Sequence, residues 1–186
     1  MLVISDRDGT LIDLVDYLGK GNNWRDELKL NYPVIDLLKY IQKNYESKFF
    51  VVSNQQGVAR KYFDCRRVEE INSYLDEKLR ELGIKMDGWD YCPDVDVNYV
   101  GLHPEIEFDP DYVKKETRRK PSSKMILESL DRFGLSISSF EHILILGDSE
   151  DDGGLAKNLE GKFIDVKGKD YKQLQEEFNL LFGEIN

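Results

Sequence analysis

The chain has 186 residues, with 26 lysines and arginines against 36 aspartates and glutamates, giving a net charge of -10. This length can bury a core without disulfides, so we expect one domain over residues 1–186. The negative charge repels polyphosphate backbones, which disfavours nucleic acid as a partner. Cys65 and Cys92 are too few for a disulfide framework. With no leader-like or membrane-spanning apolar run, the sequence predicts a cytoplasmic protein with no membrane partner.

Apolar runs rich in β-branched and aromatic residues alternate with amphipathic helical patterns. Buried strands are predicted at residues 2–4, 49–52, 143–146 and 163–166. Helices are predicted over residues 34–45, from Asp64 as N-cap to Gly83, from Pro121 to Gly134, and over residues 174–181. This alternation predicts a three-layer, Rossmann-like α/β fold, with a doubly wound, mainly parallel sheet covered by helices on both faces.

Three of the predicted strands end in polar residues. Asp6 and Asp8 follow the first strand, Ser53 and Asn54 the second, and Asp148 the one over residues 143–146. Each end alone could be an ordinary turn, because Asp, Ser, Asn and Gly dominate turns. Ligands in such folds bind beyond the carboxyl ends of the strands. The three ends together therefore predict a functional site.

Two long segments lack clear periodicity, a flap segment at about residues 11–31 and a substrate-side loop at about residues 93–118. Loops of this length inside a compact domain are usually functional or disordered. Because both follow strand ends, we expect them to overhang the site. The flap segment is too short for a separate lid, which predicts a minimal cap or none.

The acids at the strand ends suggest metal-assisted chemistry on phosphate. Asp6, Asp8 and Asp148 in one crevice would repel one another without a cation, and Mg²⁺ prefers such oxygen ligands. With the metal offsetting charge, Asp6 is the candidate nucleophile that forms an aspartyl phosphate. Asp8 is the candidate general acid and base, protonating the leaving group and then deprotonating water.

Phosphate recognition also needs hydrogen-bond donors. The candidates are the Ser53 hydroxyl, the backbone N–H of Asn54 and the ammonium group of Lys120, which would also keep Asp6 ionised. Gly9 and Thr10 would let backbone amides approach the phosphate. Lys120 would lie just before a helix N-terminus, which itself favours an anion.

Four motifs carry a family resemblance: DRDGTLI, VVSNQQGVAR, RRKP and LGDSEDD. In order and spacing, across residues 6–152, they resemble the motifs of haloacid dehalogenase (HAD) superfamily phosphatases. Within that superfamily they are most similar to the motifs of the histidinol-phosphate and heptose-bisphosphate phosphatases. The resemblance implies a central first strand, metal ligation by Asp6, the Asp8 carbonyl and Asp148, and substrate contacts at Arg60 and Arg119. It implies a phosphomonoesterase acting on a small metabolite, such as a sugar phosphate, sugar bisphosphate or histidinol phosphate.

The sequence differs from the heptose-bisphosphate phosphatases in the loop that binds zinc in those proteins. Those heptose-bisphosphate phosphatases carry Cys-x-His and then Cys-x-Cys before Arg-Lys-Pro, whereas this chain keeps Cys92 alone, with residues 116–118 reading Glu-Thr-Arg. A structural zinc needs four ligands and arginine cannot serve, so zinc is not expected. Cys92 is instead expected to be a buried residue that ends a strand.

Two other functions stay open at this point. A polynucleotide 3′-phosphatase shares the motif pattern, and the basic stretch at residues 114–124 could bind a strand end despite the acidic net charge. A phosphorylation-switched receiver domain also uses magnesium, acids and a lysine on a doubly wound sheet. The second acid of the Asp-x-Asp motif favours hydrolysis instead. The physiological substrate and the oligomeric state are open.

Three residues have two interpretations each. Trp24 is either an aromatic platform over the substrate or a side chain that packs the flap segment onto the domain. Asp152 is read first as a helix N-cap and second as an indirect contributor near the metal. His103 is either a surface histidine or a rescued ligand together with Asp94 and Glu116.

Overall fold

The computed structural model of the protein describes residues 1–183, and its centre is a five-stranded parallel sheet. Its strands are β1 (Leu2–Ser5), β2 (Lys48–Asn54), β3 (Gly88–Cys92), β6 (Ile143–Gly147) and β7 (Lys162–Asp165). Their order across the sheet is β3-β2-β1-β6-β7, and each neighbouring pair is parallel. The first strand is therefore central, flanked by the strands that carry Ser53 and precede Asp148, as the family resemblance implies.

Helices cover both faces of this sheet. The α-helices among residues 1–183 are α1 (Trp24–Glu27), α2 (Tyr32–Asn44), α3 (Cys65–Glu81), α4 (Val97–Leu102), α5 (Lys124–Arg132), α6 (Glu150–Asn158) and α7 (Tyr171–Phe182), of which α4 lies in the segment 93–118. Alternate residues of β1 enter opposite layers: Val3 packs in a core with α2, α3 and α7, whereas Leu2 and Ile4 pack in a core with α5 and α6. This confirms the predicted three-layer α/β fold, because each face of the sheet buries its own set of apolar side chains.

Most predicted helix ends are confirmed in their physical detail. Asp64 is the N-cap of α3, and its side chain accepts a hydrogen bond from the N–H of Arg67 at 2.9 Å. Gly83 follows the same helix with φ +81°, a left-handed conformation that glycine adopts without strain. Gly134 does the same after α5, at φ +67°.

The predicted start of the third long helix at Pro121 is wrong, because α5 begins at Lys124. The preceding residues are held by other contacts. The Lys120 carbonyl accepts from the Asn54 side chain at 3.2 Å, and the Pro121 carbonyl accepts from the Asn158 side chain at 2.8 Å. These carbonyls are taken by side chains from elsewhere in the fold, so Lys120 does not lie directly before the helix.

Three short strands lack a clear apolar pattern in the sequence, although the one that Cys92 ends is expected. β3 is an edge strand whose buried face carries Asp90, which disguises its apolar alternation. Inside the segment 93–118, β4 (Val95–Asp96) pairs in parallel with β5 (Val113–Lys114). Strands of two residues leave no periodic signal. Cys92 is fully buried at the end of β3, as the sequence predicts.

Within residues 1–183, every helix is too short or too polar to span a lipid bilayer.

Candidate active site

The polar ends of neighbouring strands meet at one edge of the sheet. Asp6 follows β1, Asp148 follows β6, and Asp152 lies in the first turn of α6. Carboxylate oxygens of these three residues lie within 4.8 Å of one another, and they form the one group of metal-ligand type found in residues 1–183. We call these three residues the acid cluster. The structure brings Asp6 and Asp148 together and adds Asp152.

Lys120 lies between two of these carboxylates. Its Nζ atom is 2.6 Å from Oδ1 of Asp6 and 2.6 Å from Oδ1 of Asp152, and the side chain is 3% exposed. Its backbone is held by the side chain of Asn54, which accepts from the Lys120 N–H at 2.9 Å and donates to the Lys120 carbonyl at 3.2 Å. Asn54 therefore positions Lys120, a role that the sequence analysis misses.

The N-cap interpretation of Asp152 is wrong in its position. Ser149 is the N-cap of α6, and Asp152 is the third helical residue of a capping box. Its Oδ2 accepts from the hydroxyl of Ser149 at 2.5 Å and from the Ser149 N–H at 3.3 Å. Its other oxygen, Oδ1, accepts from Lys120. Asp152 thus joins the start of the helix to the acid cluster.

The acid cluster holds more negative charge than one lysine offsets. Burial raises the pKa of Asp6 from 3.8 to about 7; Lys120 opposes this rise, whereas Asp152 and Asp8 add to it. Burial also raises the pKa of Asp148, with Asp152 adding to the rise. A cation bound to the carboxylate oxygens would relieve this repulsion, so the residues present fit a hard divalent metal ion such as Mg²⁺.

Gly9 makes room for Asp148. Its φ of +81° lies in the left-handed region, and a Cβ atom there would lie 2.2 Å from Oδ2 of Asp148. Its N–H donates to the carbonyl of Ile12 at 2.9 Å, so this amide closes the turn after β1. Thr10 is fully buried, and its hydroxyl has no hydrogen-bond partner in the part of the chain that the structure describes. The contacts of Gly9 and Thr10 with phosphate stay predictions.

The carboxylate of Asp8 lies outside the acid cluster and has its own contacts. Arg7 donates to both of its oxygens, at 3.0 and 3.2 Å, and Gln55 donates to Oδ2 at 2.7 Å. The hydroxyl of Ser53 donates to Oδ2 at 3.4 Å and accepts from Gln55 at 2.7 Å. Arg7 and Gln55 are both buried, and they fix the orientation of Asp8. The sequence analysis misses both residues, although each adjoins a predicted motif position.

A crevice of about 380 Å³ opens beside Asp8. Residues 14–18 of the flap segment form one wall, and residues 54–57 form the opposite wall. Gln56 donates across the crevice to the hydroxyl of Tyr17 at 3.4 Å. The crevice thus has both apolar and polar walls, and the Asp8 carboxylate lies at its base.

Two of the open interpretations are decided by the packing. Trp24 is 1% exposed and its ring meets that of Tyr74 edge-on, with 5.5 Å between centroids, so it packs the flap segment onto the domain and is no platform. His103 is a partly exposed residue that pairs with Glu105 at 3.2 Å.

The two arginines predicted as substrate contacts each have a nitrogen that makes no hydrogen bond in the described part of the chain. Nε of Arg60 and Nη1 of Arg119 are buried without a hydrogen-bond partner among residues 1–183. Arg119 lies 3.7 Å from Asp151, a long ion-pair distance. The Arg60 guanidinium lies over three aromatic rings, 5.4, 5.7 and 5.9 Å from the centroids of Tyr17, Tyr99 and Phe108. Each guanidinium group thus has one donor nitrogen without a partner in that range, and that nitrogen is itself shielded from solvent.

The basic stretch at residues 114–124 is partly neutralised by ion pairs. Arg118 pairs with Asp90 and Glu128, and Lys124 pairs with Glu116 at 3.1 Å. Lys120 is buried between the acids of the active site. These pairings neutralise only part of the positive charge of the stretch, because Lys114 and Lys115 are exposed.

The sheet resembles those of solved phosphatases. A HAD-like phosphatase from Mesorhizobium loti matches with a TM-score of 0.68 and 26% identity, over 84% of this chain and 67% of that one. The D,D-heptose 1,7-bisphosphate phosphatase from B. bronchiseptica, solved with magnesium and phosphate, matches with a TM-score of 0.65 and 19% identity, over 95% and 98%. No protein-family model matches the chain.

The amino-acid sequence is similar to curated phosphatases. A protein of Thermoplasma acidophilum, named a probable D-glycero-D-manno-heptose-1,7-bisphosphate 7-phosphatase, is 30% identical over 159 residues, covering 84% of each chain. The D-glycero-beta-D-manno-heptose-1,7-bisphosphate 7-phosphatase of Haemophilus influenzae is 30% identical over 150 residues, covering 81% of this chain and 72% of that one.

The parallel sheet, the acid cluster and the buried lysine fit a phosphatase of the HAD type, and the similarity to the curated phosphatases assigns the chain to that superfamily. Within that superfamily, the chain belongs to the group of the heptose-bisphosphate phosphatases.

Proposed function

We propose that this chain removes one phosphate from a small sugar bisphosphate, with Asp6 as nucleophile and Mg²⁺ as the metal. The observation that carries the proposal is Lys120, buried 2.6 Å from both Asp6 and Asp152 at the carboxyl edge of the sheet. Such a lysine favours the ionised Asp6 that nucleophilic attack requires, and it can donate to a phosphate oxygen. The names of the relatives support a bisphosphate.

The reaction is proposed to run in two displacements. An oxygen of Asp6 attacks phosphorus, the bond from phosphorus to the ester oxygen breaks, and Asp8 gives its proton to the departing alkoxide. Asp8 then takes a proton from water as the water oxygen attacks phosphorus, which breaks the aspartyl–phosphate bond and releases inorganic phosphate. Arg7 and Gln55 keep Asp8 oriented for both proton transfers.

A magnesium ion held by Asp6, Asp148 and the Asp8 carbonyl would offset negative charge on the phosphate oxygens. The three-acid cluster with one lysine supports such an ion. Asp152 would hold Lys120 in place next to it. The solved relative from B. bronchiseptica contains magnesium and phosphate.

The substrate is proposed to lie in the crevice beside Asp8. Its volume of about 380 Å³ and its mixed walls suit a hydroxylated carbon chain of sugar size. Ser53, Asn54, Gly9 and Thr10 are proposed to surround the reacting phosphate. Arg60 and Arg119 are proposed to bind the second phosphate.

We further propose a single domain over residues 1–186, in which the flap segment and the segment 93–118 shape an open site. We propose a cytoplasmic location, since Cys65 and Cys92 are both free thiols in the structure. We propose that the segment 93–118 needs no zinc, because arginine takes a position that a ligand would need. Stoichiometric zinc in elemental analysis of the purified protein would contradict the last point.

A substrate panel tests the proposed activity. It would contain a heptose 1,7-bisphosphate, the matching monophosphate, histidinol phosphate and a 3′-phosphorylated oligonucleotide, each assayed for phosphate release with magnesium. We expect the highest kcat/KM for the bisphosphate. A preference for the oligonucleotide, or for histidinol phosphate, would overturn the substrate class while leaving the phosphatase chemistry intact.

The proposed role of the arginines is tested by Arg60→Met and Arg119→Met. Each should raise KM for the bisphosphate roughly 10- to 100-fold, because a hydrogen bond to a charged group is lost, and should change KM for the monophosphate far less. The matched control is Lys61→Met, since Lys61 pairs with Glu107 at the surface. Equal effects on both substrates would contradict a second phosphate site.

A further inference from the structure

A buried carboxylate on the edge strand β3 has no part in the chemistry proposed above. Gly88, Asp90 and Cys92 form the buried face of this strand, and Cys92 shares an apolar cluster with residues of α5. Asp90 is 8% exposed. An ionised carboxylate in such a place is strongly destabilising unless charged partners and hydrogen bonds compensate it.

Two arginines and a backbone amide surround this carboxylate. Two nitrogens of Arg118 pair with its two oxygens, each at 3.2 Å, and Nη2 of Arg132 lies 2.5 Å from Oδ2. The N–H of Tyr91 donates to Oδ1 at 2.8 Å. Arg118 also donates to Glu128 at 2.9 Å. Two acids and two arginines thus balance in charge, and we call Asp90, Arg118, Glu128 and Arg132 the Asp90 cluster.

Arg118 connects this cluster to the active site through the residues that follow it. Its Nη2 also donates to the carbonyl of Tyr91 at 2.9 Å, so the side chain is fixed to the strand as well as to Asp90. Lys120 follows two residues later, and Asn54 at the end of β2 fixes its backbone. The stretch 118–120 is therefore fastened to two adjacent strands.

We propose that Asp90 and Arg118 are positioning residues, which set the place of Lys120 between Asp6 and Asp152. The inference rests on the function proposed for Lys120. Both contacts of its Nζ atom are 2.6 Å long, so a backbone shift of about 1 Å would stretch one of them beyond hydrogen-bonding distance. A displacement of this size at a reacting centre costs up to about 10²-fold in rate.

Arg132 provides a matched control within the same cluster. It pairs with the same carboxylate oxygen as Arg118, but it is the last residue of α5, and its contact joins that helix to β3. Removing either guanidinium unbalances Asp90 by one charge. Only removal of Arg118 releases the stretch that leads to Lys120.

The experiment compares Arg118→Met with Arg132→Met, using p-nitrophenyl phosphate at saturating magnesium and a temperature well below the Tm of each variant. Both substitutions should lower Tm by a few degrees. Arg118→Met should lower kcat about 10- to 100-fold with a smaller change in KM, because Lys120 acts at the reacting aspartate. Arg132→Met should retain the kcat of the wild type within about twofold. Arg118→Lys should recover only part of the rate, because an ammonium group cannot bridge both carboxylate oxygens.

Equal kcat values for the two methionine variants would overturn the inference, since they would show that the Asp90 cluster only stabilises the fold. If Arg118→Met fails to fold, Asp90→Asn takes its place, and a folded Asp90→Asn protein with wild-type kcat would equally overturn it. Lys120→Met separates the two proposals. Full activity of that variant would contradict the function of Lys120 itself, whereas an inactive Lys120→Met beside a fully active Arg118→Met would contradict positioning alone.

Discussion

The molecule holds two clusters of charged side chains, each around a buried aspartate, Asp6 or Asp90, and they differ in their balance of charge. The acid cluster sets three carboxylates against one lysine, whereas the Asp90 cluster sets two carboxylates against two arginines. Burial raises the pKa of Asp6 to about 7. An unbalanced cluster leaves charge for a ligand to neutralise, while a balanced one is complete without a ligand. This difference in charge balance distinguishes the acid cluster, where the reaction is proposed to occur, from the Asp90 cluster, which supports it.

The largest expected effects compare Asp6→Asn, which should abolish activity, with Asp90→Asn, which should reduce stability as well as part of the kcat. Asp6→Asn should lower kcat by more than about 10⁴-fold, because the nucleophile is lost, while the protein still folds. Asp90→Asn should lower the free energy of unfolding by about 3 kcal/mol, roughly 6–12 °C in Tm, because two arginines lose their charged partner. Both are measured by hydrolysis of p-nitrophenyl phosphate and by thermal unfolding. Near wild-type turnover by Asp6→Asn would contradict the assignment of Asp6 as the nucleophile.

The next effect concerns Asp152, which the structure places in the acid cluster. Asp152→Asn should lower kcat about 10- to 100-fold and weaken magnesium activation, because Lys120 loses one of its two carboxylate partners. The matched control is Asp151→Asn on the same helical turn, whose carboxylate accepts from Asn54 at 3.0 Å and is far more exposed. Its effect should be several-fold smaller. Similar losses in both variants would show that the start of α6, rather than the contact with Lys120, matters.

A third prediction uses the raised pKa of Asp6 in the protein without metal. Because the folded pKa of about 7 exceeds the unfolded value of 3.8, the stability that this group contributes is complete below pH 3.8 and is lost as pH rises through 7. Magnesium competes with the proton for this carboxylate. Added Mg²⁺ should therefore raise Tm by several degrees at about pH 8 and hardly at all at about pH 5.5.

Thermal unfolding with EDTA or magnesium at the two pH values measures this effect. The gain in Tm should disappear in Asp6→Asn and persist in Arg132→Met, whose substitution touches only the balanced cluster. A gain that is equal at both pH values would argue against ligation by Asp6.

The smallest expected effect concerns Gln55, which orients Asp8. Gln55→Leu should lower kcat about tenfold, because the carboxylate loses its 2.7 Å hydrogen bond while Arg7 still holds it. Gln42→Leu is a suitable control, since Gln42 donates to the Gly83 carbonyl far from the site. Steady-state kinetics measure both variants. An unchanged kcat for Gln55→Leu would leave the orientation of Asp8 to Arg7 alone.

Features set by neighbouring residues can be predicted from the sequence, whereas contacts between residues far apart in the chain cannot. The alternation of apolar runs predicts the sheet. The strand order that the family resemblance implies then places Asp6, Ser53 and Asp148 at one edge, because Asp6 and Asp148 follow their strands directly and Ser53 lies near the end of β2. The ion pair of Lys120 with Asp152 spans 32 residues, and the hydrogen bond of Lys120 with Asn54 spans 66. Local sequence patterns do not reveal such pairs.

The same reasoning explains where the predictions miss. Pro121 carries a good signal for a helix start, but Asn54 and Asn158 take the carbonyls that the helix would use. Asp90 disguises β3 because a buried charge on a strand reads as a surface position until its two arginines are known. In each case a tertiary contact overrides the local preference.

The central claim is that Asp6 becomes phosphorylated and is then released by water that Asp8 activates. The direct test mixes Asp8→Asn protein with p-nitrophenyl phosphate and magnesium, quenches with acid, and maps the modification by mass spectrometry. We expect the peptide containing Asp6 to gain one phosphoryl group, because Asp8→Asn slows the second displacement, and we expect no gain in Asp6→Asn. Continued release of p-nitrophenol with no phosphoryl group on that peptide, or a phosphoryl group on another residue, would contradict the account.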